Sequence, residues 1–587
     1  MKLAMQIAAL AILAASIPSA ALAQCVPGGT CPSPGEICTL GCSSFLCGGA
    51  PLFTIWVPNG PASAGTACGN PNVTECSDPD ACDGAGACLP AHLPVATPCG
   101  DVSNECTLDA CDGGGGCVVA VAGEGTLCGE RDPACSDDRC DGFGQCRLSE
   151  PDYGTSCVGG GICFVGTCAD VFYVDTLADE PDASPFDGLC ESTPSAMCSL
   201  RAAVEQSNSM GGTPQVASVP PGVYALGADG SLASTDDLLI LGSGAGATVI
   251  DGVTTPVVDG LLSIGSGATL GLADLTVTNS VAAGVYAVDE TAFVGVERSV
   301  IRDNMDRGVH GVARIHRTEV LDNQTTGDGG GLYSPVPSFI ALITESTFAR
   351  NAAGGQGGAF SGTALISGSS FLENEASSGG AIHTPGFLVV VNSTLDGNVA
   401  TISGGGVEFD SNPPIGPSSI FAHVTISDNL APSGTAIAGV APLQPIFLNT
   451  IVTGSFPACS LAPPVVGGSN MVDAVSAAGC GLDVDPTNLL VADPGLGSLS
   501  DLGGPTAIRP LLPTSPGIDA GTDNVPIVGL DWDQRGEGYP RAVDGDLDGT
   551  PQVDIGTHEV PEPGLGLGLA IGGLFVCAGF AWPRFRA

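Results

Sequence analysis

The chain has 587 residues, of which 87 are glycine, 5% are aromatic and only 13% are charged. This composition excludes an ordinary compact enzyme and favours many short strands joined by turns. The 62 Asp and Glu outnumber the 16 Lys and Arg, which gives a net charge of −46 and predicts no nucleic acid partner.

The first 23 residues have the pattern of a secretory signal peptide. Lys2 precedes an apolar run, and Ala21-Leu22-Ala23 supplies small residues before Gln24. A charged start, an apolar middle and a small-residue cleavage site are typical of an exported chain. We therefore expect the mature protein at the cell surface or outer membrane, or in the extracellular medium. A lipoprotein signal at Cys25 is a weaker alternative, because bulky Gln24 stands where a small residue is wanted.

Residues 24–170 are rich in cysteine and repeat a four-cysteine spacing. They hold 20 of the 25 Cys, and the copies are Cys68, Cys76, Cys82, Cys88; Cys99, Cys106, Cys111, Cys117; Cys128, Cys135, Cys140, Cys146; and a shortened Cys157, Cys163, Cys168. Modules of about 30 residues are too small for an apolar core, so we expect disulfides, most simply two per copy, with the connectivity open. Zinc is the alternative, but the copies lack paired Cys-x-x-Cys knuckles. The segment would be a spacer stalk or a ligand-binding array.

A change of composition near residue 171 begins a segment, 171–215, that we expect to cap a solenoid. The stretch from Val171 to Asp175 has the character of a strand. The run after Cys198 favours a short helix with Leu200 and Val204 on one face. A helix laid across the first coil would cover its open edge.

The start of this predicted helix, Cys198-Ser-Leu-Arg-Ala-Ala, carries a resemblance. It is similar to the N-terminal module of bacterial surface proteins named for a Cys-Ser-Leu-Arg-Glu-Ala signature, with Ala202 in place of the Glu. The resemblance implies an exported β-helix protein and no particular activity. Cys190 and Cys198 are candidates for a disulfide.

Residues 216–455 carry a nine-residue phrase that returns about every 25 residues. Its copies are Val296–Asn304, Ile315–Asn323, Ile343–Asn351, Ile366–Asn374, Val390–Asn398 and Phe421–Asn429. A glycine-rich phrase follows four of them, at Gly329–Leu332, Gly357–Phe360, Gly379–Ile382 and Gly404–Val407. The inward positions alternate as in a strand, so we expect two short strands per unit with glycine turns between them.

These repeats predict an all-β fold, a parallel β-helix resembling the pectin-lyase-like solenoid, preceded by the small disulfide-rich modules. Stacked units bury a face that one unit cannot, and each repeated Asn is expected to hydrogen-bond to the same Asn of the next coil. The alternative is a leucine-rich repeat, whose phrase also ends in Asn. Ser or Thr occupies the fourth position in five of six copies, and these residues are too small for a leucine core.

The candidate ligand-binding residues are Arg298 and Arg317, at the third position of successive phrases, and His316. Stacked on the outer face, they would form a cationic strip able to bind a uronic acid sugar. The alternative is a solvated face of paired charges, and no dedicated catalytic motif is present. His383 and His423 are isolated in the sequence and are predicted to be structural.

Residues 456–559 resemble the choice-of-anchor Q domain in their run of Asp- and Gly-containing motifs, which ends at Asp554-Ile-Gly-Thr-His-Glu559. The resemblance implies the end of a β-helix surface protein, without a catalytic role. Cys459 and Cys480 are candidates for a disulfide where the coils give way to this module.

A candidate calcium site lies inside the same module. Asp544, Asp546 and Asp548 alternate before Gly549, and Asp554 follows, as oxygen ligands around a sharp turn would. The alternative is an acidic turn without an ion. Calcium is the one cofactor that the sequence suggests.

The tail, 560–587, contains Pro561-Glu562-Pro563, an apolar run to Trp582 and two terminal arginines. This order resembles the PEP-CTERM sorting signal, which implies recognition by an exosortase-like sorting protease and removal of the tail. Anchoring in the membrane through the apolar run is the alternative.

Two functions fit the sequence. The first is an exported structural or adhesive β-helix protein of the cell surface, with an extracellular polysaccharide or surface matrix as its partner. The second is a secreted polysaccharide lyase or glycoside hydrolase that acts on an acidic polysaccharide.

Overall fold

A computed structural model of the chain describes residues 153–560, apart from short gaps, and scattered residues between 64 and 147. The gaps are residues 158–159, 228–229, 253–258, 336–339, 411–418, 441–443, 455–456, 463, 475, 524, 526–529 and 544–549. The predicted signal peptide and Pro561, Glu562 and Pro563 of the predicted sorting signal lie outside the described residues. The chain divides into two compact units, Met1–Glu130 with Asp137–Ser149, and Arg131–Ser136 with Glu150–Ala587.

The first unit is described only in part, as three small antiparallel hairpins in the cysteine-rich copies. Their strands are Ser77–Cys82 with Cys88–His92, Ala110–Cys111 with Cys117–Val118, and Arg139–Cys140 with Cys146–Arg147. A disulfide joins Cys99 to Cys117, the first and fourth cysteines of one copy. A bridge within one copy is the arrangement expected of a module stapled by disulfides.

The second unit is a parallel β-helix. Sheet A, which begins the coils, contains Ile162–Phe164, Thr167–Tyr173, Gln215–Ser218, Leu238–Leu241, Thr269–Ala273, Phe293–Glu297, Val312–His316, Ala341–Thr344, Ala364–Ser367, Leu388–Val391, Ile420–Ala422 and Ile446–Leu448. Sheet B, which the chain enters next, contains Gly222–Ala225, Thr248–Asp251, Thr276–Thr278, Val300–Arg302, Glu319–Leu321, Thr347–Ala349, Ser370–Leu372, Thr394–Asp396, Thr425–Ser427, Ile451–Val452, Met471–Asp473 and Leu489–Val491.

A third sheet completes each coil. Sheet C contains Leu232–Ser234, Gly260–Ile264, Ala283–Ala287, Val309–His310, Leu332–Tyr333, Phe360–Ser361, Ile382–Thr384, Val407–Phe409, Ile437–Val440 and Cys459–Ala462. In the middle coils a short sheet D lies between B and C, with strands Gln324–Thr325, Ala352–Ala353, Glu375–Ser378 and Val399–Ser403. The prediction of two strands per unit is wrong, because the coils between residues 215 and 462 contain three strands each and the middle ones contain four.

The nine-residue phrase spans two strands because it turns sharply at its third residue. That residue has a positive φ in successive coils, 46° at Arg298, 45° at Arg317 and 49° at Glu345. A non-glycine residue in the left-handed region breaks the extended backbone, so the phrase leaves sheet A and enters sheet B there. The small hydroxyl residue that follows accepts the backbone amide of the equivalent residue in the preceding coil, as Ser346 Oγ does from Thr318 N at 3.1 Å.

The repeated asparagines form a buried ladder, as the sequence predicted. Asn351 Nδ2 donates to Asn374 Oδ1 at 3.0 Å, and Asn374 Nδ2 donates to Asn398 Oδ1 at 2.9 Å. From Asn323 onward, each amide also donates to a carbonyl of the preceding coil, as Asn374 Nδ2 does to Phe348 O at 2.9 Å. Because all four hydrogen-bonding positions of the side chain are used, Asn is favoured over any residue of similar size.

The predicted capping helix is present as Leu200–Met210. Ser199 is its N-cap and accepts from Ala202 N at 2.9 Å, while Leu200 and Val204 join the buried core of the first coils. Arg201 is also buried, and its Nε donates to Asp179 Oδ1 at 2.8 Å. The helix therefore covers the open end of the coils, and the adjoining loop is closed by the Cys190–Cys198 disulfide.

The last cysteine-rich copy is part of the β-helix and not separate from it. Ile162–Phe164 pairs antiparallel with Thr167–Tyr173, which then pairs parallel with the first coil. Tyr153 and Phe164 pack on the outer face of sheet A, where Gly271 and Gly295 leave space for their rings. Disulfides Cys135–Cys163 and Cys157–Cys168 hold this segment, and the first of them crosses between two copies.

The coils continue past residue 455 to the strand Leu489–Val491, and the asparagine ladder is replaced there by Asn470 and Asn488 at the other corner. The sequence did not show these coils because they lack the nine-residue phrase. The short helix Ala477–Cys480 ends at the Cys459–Cys480 disulfide.

The described residues between 493 and 560 fold back along the coils and cover the later strands of sheet B. Gln534 is buried there, where its Oε1 accepts from Thr394 Oγ1 at 2.7 Å and its Nε2 donates to Ser370 Oγ at 2.9 Å. Arg509 Nε donates to Asp396 Oδ1 at 2.7 Å. In the part of the chain that the structure describes, no helix is long and apolar enough to span a bilayer.

Candidate functional site

The predicted ligand-binding arginines lie at the corner between sheets A and B, on successive coils. Arg298 is half-buried, and its guanidinium donates to Asp274 Oδ2 at 2.9 Å and to the Tyr153 carbonyl at 2.5 Å. It also pairs with Glu297, which accepts the Tyr153 amide at 3.1 Å. Arg298 therefore joins the segment that begins at Tyr153 to the coils.

The other two predicted residues are also paired. Arg317 Nε donates to Glu345 Oε2 at 2.6 Å, and His316 Nδ1 lies 2.8 Å from Thr344 Oγ1. The corner carries Asp274, Arg298, Arg317 and Glu345 in sequence, so acidic side chains flank the basic ones and no continuous cationic strip forms among these residues.

Of the predicted calcium ligands, only Asp554 is described. It is buried, and its two carboxylate oxygens accept the amides of Asp519 at 2.8 Å and Val560 at 2.7 Å. Burial raises the pKa of Asp554 to about 6. The structure shows a structural use for this carboxylate, while Asp544, Asp546 and Asp548 lie outside the described residues.

A different face of the β-helix brings together aromatic and polar side chains that the sequence analysis did not group. Sheet C pairs Tyr286 with His310, His310 with Tyr333, Tyr333 with Ser361, Ser361 with His383, and His383 with Glu408, each in register on the next coil. The residues that precede them in the strands, such as Leu332 and Ile382, are buried in the core. Because neighbours along a strand point to opposite sides, the six side chains form one outward column, which we call the sheet C face.

The first half of the sheet C face is aromatic. The Tyr286 and His310 rings stack with centroids 4.5 Å apart, and Tyr333 follows with its centroid 5.6 Å from that of His310. Arg307 lies over the Tyr333 ring, 5.0 Å from its centroid. Such a row offers apolar ring surface and polar edges together.

The second half is polar and more deeply buried. Ser361 Oγ lies 3.0 Å from His383 Nδ1, and both residues are buried. His383 Nε2 has no hydrogen-bond partner among the described residues, and neither does Glu408 Oε2. A buried polar atom without a partner costs free energy, which points to a group that the described residues do not supply.

Electrostatics keep both imidazoles neutral. Burial lowers the pKa of His310, and the neighbouring Arg307 lowers it further. Burial also lowers the pKa of His383, whereas it raises the pKa of the Glu408 carboxyl. At neutral pH these imidazoles act as hydrogen-bonding groups without charge.

A cavity of about 400 Å³ opens beside His310, where the chain passes from sheet C to sheet A. Its lining residues are Ala287, Val288, Asp289, Glu290, His310, Gly311, Val312 and Pro335. The cavity adjoins the aromatic half of the sheet C face and falls within the size range of small-molecule sites.

The sequence contained a signal for this face. The glycine-rich phrases end at the buried residues Leu332, Phe360, Ile382 and Val407, and the outward residue follows each of them directly. The residues that directly follow the four phrases are therefore Tyr333, Ser361, His383 and Glu408. His383 was predicted to be structural because it was considered alone.

No protein family model matches the chain, and no curated protein matches it. Among solved structures, the pectate lyase Pel9A is similar over 67% of this chain and 96% of its own, at 14% identity and a TM-score of 0.37. The A-module of the Azotobacter vinelandii mannuronan C-5 epimerase AlgE6 is similar over 48% of this chain and 77% of its own, at 18% identity and a TM-score of 0.26. Likeness at this level carries no argument about activity.

Proposed function

We propose that the protein is an exported structural or adhesive β-helix of the cell surface that binds a glycan along the sheet C face. The observation that carries the proposal is the in-register row Tyr286, His310 and Tyr333, with a cavity at one edge and buried polar atoms beyond it. Sugar rings present apolar C–H faces and hydroxyl edges, and a row of aromatic and polar side chains offers both kinds of contact.

The spacing of the row also suits a polymer. Successive strands of one sheet are about 4.8 Å apart, so the six residues of the face extend over about 24 Å. A chain of sugars could therefore contact several coils at once, and the contacts would add through multivalency.

Export is supported by the disulfides. Cys99–Cys117, Cys135–Cys163, Cys157–Cys168, Cys190–Cys198 and Cys459–Cys480 are bonded in the structure. Disulfides at this density are typical of oxidising compartments. The signal peptide, the sorting tail with its protease, the surface matrix partner and the calcium loop remain parts of the same proposal.

Binding is favoured over turnover by the state of the predicted basic residues. A lyase that acts on an acidic polysaccharide needs a base beside its substrate. Arg298 and Arg317 are ion-paired, and His316 is hydrogen-bonded to Thr344. These three residues are therefore engaged within the fold.

Affinity electrophoresis of the oxidised protein through gels containing neutral, amino and acidic polysaccharides tests the proposal. We expect at least one polysaccharide to retard the protein, and Tyr286→Ala/Tyr333→Ala to weaken binding about tenfold or more, because aromatic contacts contribute about 1 kcal/mol each. Tyr173→Ala is the matched control, since this tyrosine is 68% exposed on sheet A. Equal retardation of the double variant and the parent would exclude the sheet C face as the site, and unsaturated products released from acidic glycans would support the enzyme instead.

A further inference from the structure

Carboxylates surround the sheet C face. Asp289 and Glu290 line the cavity, Asp259 and Asp306 act electrostatically on His310, and Asp328 and Asp410 act on His383. Asp289 is held ionised, because hydrogen bonds from Ser266 and Thr291 lower its pKa. The face therefore carries at least six acidic groups before Glu408 is counted.

The positive charge that faces them is small. Arg307 lies over Tyr333, but its Nη2 is 3.5 Å from Asp306 Oδ1, so its charge is partly balanced. His310 and His383 stay neutral at neutral pH, since burial lowers the pKa of both. The local charge thus has the same sign as the net charge of −46.

We infer that the glycan bound at this face carries free amino groups, as a polymer of glucosamine does; this inference rests on the function proposed above. Uronic acid polymers would be repelled by the carboxylates, and neutral polymers would gain nothing from them. Protonated sugar amines would pair with Glu290 and Asp259 at the rim while the sugar rings lie against Tyr286 and Tyr333.

The buried half of the face adds a separate observation that points to a ligand. His383 is 5% exposed, its Nδ1 is used by Ser361, and its Nε2 has no partner among the described residues. A neutral imidazole nitrogen can donate to or accept from a sugar hydroxyl. The carboxylates thus favour a sugar that carries an amino group, and His383 Nε2 is a hydrogen-bonding partner for one of its hydroxyl groups.

Three oligosaccharides of equal length test the inference by calorimetry, at a pH below the pKa of the sugar amine. They are hexaglucosamine, its fully N-acetylated form and hexagalacturonate. We expect hexaglucosamine to bind most tightly and its binding to weaken as salt is added.

Asp259→Asn/Glu290→Gln should weaken hexaglucosamine binding about fivefold, because each exposed carboxylate contributes about 0.5 kcal/mol. The matched control is Asp483→Asn/Glu537→Gln, which removes the same charge from exposed positions elsewhere. His383→Gln adds a third readout, as it should weaken the binding of hexaglucosamine without changing its dependence on salt.

The outcomes separate the two proposals. Binding of the N-acetylated form as tight as that of hexaglucosamine, with no effect of Asp259→Asn/Glu290→Gln, would overturn the amino sugar inference and leave glycan binding intact. Preference for hexagalacturonate would also overturn it. If Tyr286→Ala/Tyr333→Ala leaves every measured affinity unchanged, the proposed function itself fails at this face.

Discussion

The asparagine ladder shows how one residue type fixes the register of the coils. Asn374 is fully buried, accepts from Asn351 N and Nδ2 at 3.0 Å each, and donates to Phe348 O and Asn398 Oδ1 at 2.9 Å each. Any residue without an amide leaves several of these groups without a partner in a dry interior.

Asn374→Ala should therefore destabilise the protein by about 2–4 kcal/mol, the sum of unsatisfied groups at about 1–3 kcal/mol each with partial relaxation. The midpoint of chemical unfolding measures the change. Gln324→Ala is the control, because Gln324 is exposed beside the ladder residue Asn323. Equal midpoints for the two variants would show that the ladder does not stabilise the coils.

At the corner between sheets A and B, the positions of the arginines were predictable from the sequence, but their partners were not. The repeated phrase correctly placed Arg298 and Arg317 on successive coils, since equal positions in a repeat become vertical neighbours. Their partners were not predictable, because Asp274 lies outside the phrase and Tyr153 is 145 residues away in sequence. Sequence periodicity shows which residues stack, but it does not show which charges are paired across the coils.

Among the elements, the segment 153–173 shows how glycine makes room for a docked hairpin. A Cβ added at Gly295 would lie 2.2 Å from Tyr153 Oη, and one at Gly271 would lie 2.7 Å from Phe164 Cε2. The rings can cover sheet A only because these positions have no side chain. Glycine in a sequence is most often a turn signal, so this use of glycine inside strands was not predicted.

Gly295→Val should displace Tyr153 and expose the segment 153–164, because valine cannot fit beneath the ring. Hydrogen exchange of this segment should become faster, while the coils beyond residue 300 keep their protection. Gly246→Ala is the control, since a Cβ there meets nothing within 4 Å. Unchanged exchange near Tyr153 in the valine variant would mean that the ring does not depend on this space.

At the scale of the whole β-helix, the sequence predicted the stacked coils. It did not predict the path of the C-terminal segment that follows them. The repeats predicted stacked coils because every unit has the same pattern of inward-facing residues. Residues 493–560 contain no repeat, and their return along sheet B depends on single contacts such as Gln534 with Thr394. Contacts between distant, non-repeating segments have no periodic signal in one sequence.

A buried group of charged residues joins the C-terminal segment to the coils. Arg541 is buried, and its Nη1 donates to Glu559 Oε1 at 2.5 Å while its Nη2 donates to Asn392 Oδ1 at 2.7 Å. Asp554 lies close by and also acts on the carboxyl of Glu559. Asp533 is also buried beside Arg541, but its carboxylate is paired with Arg535. Arg541 is therefore left beside the carboxyls of Glu559 and Asp554, which favours a proton on that pair.

The attachment of the C-terminal segment to the coils should therefore weaken as the pH rises. Burial raises the pKa of Glu559 to about 8 and that of Asp554 to about 6 in the folded protein, both above their values in an unfolded chain. The folded form then binds more protons between about pH 4 and pH 8, so the stabilisation is complete below pH 4 and is lost progressively up to pH 8, more steeply below pH 6 where both groups contribute.

Hydrogen exchange of residues 533–559, corrected for the intrinsic effect of pH, measures this loss. Glu559→Gln keeps an acceptor for Arg541 but cannot ionise, so the loss of protection should end near pH 6 instead of continuing to pH 8. Glu537→Gln, at an exposed position of the same segment, should lose protection up to pH 8 as the parent protein does. Protection that stays constant from pH 5 to pH 9 in the parent protein would show that the pair is fully ionised throughout, and the segment would then be held by Arg541 as a permanent ion pair.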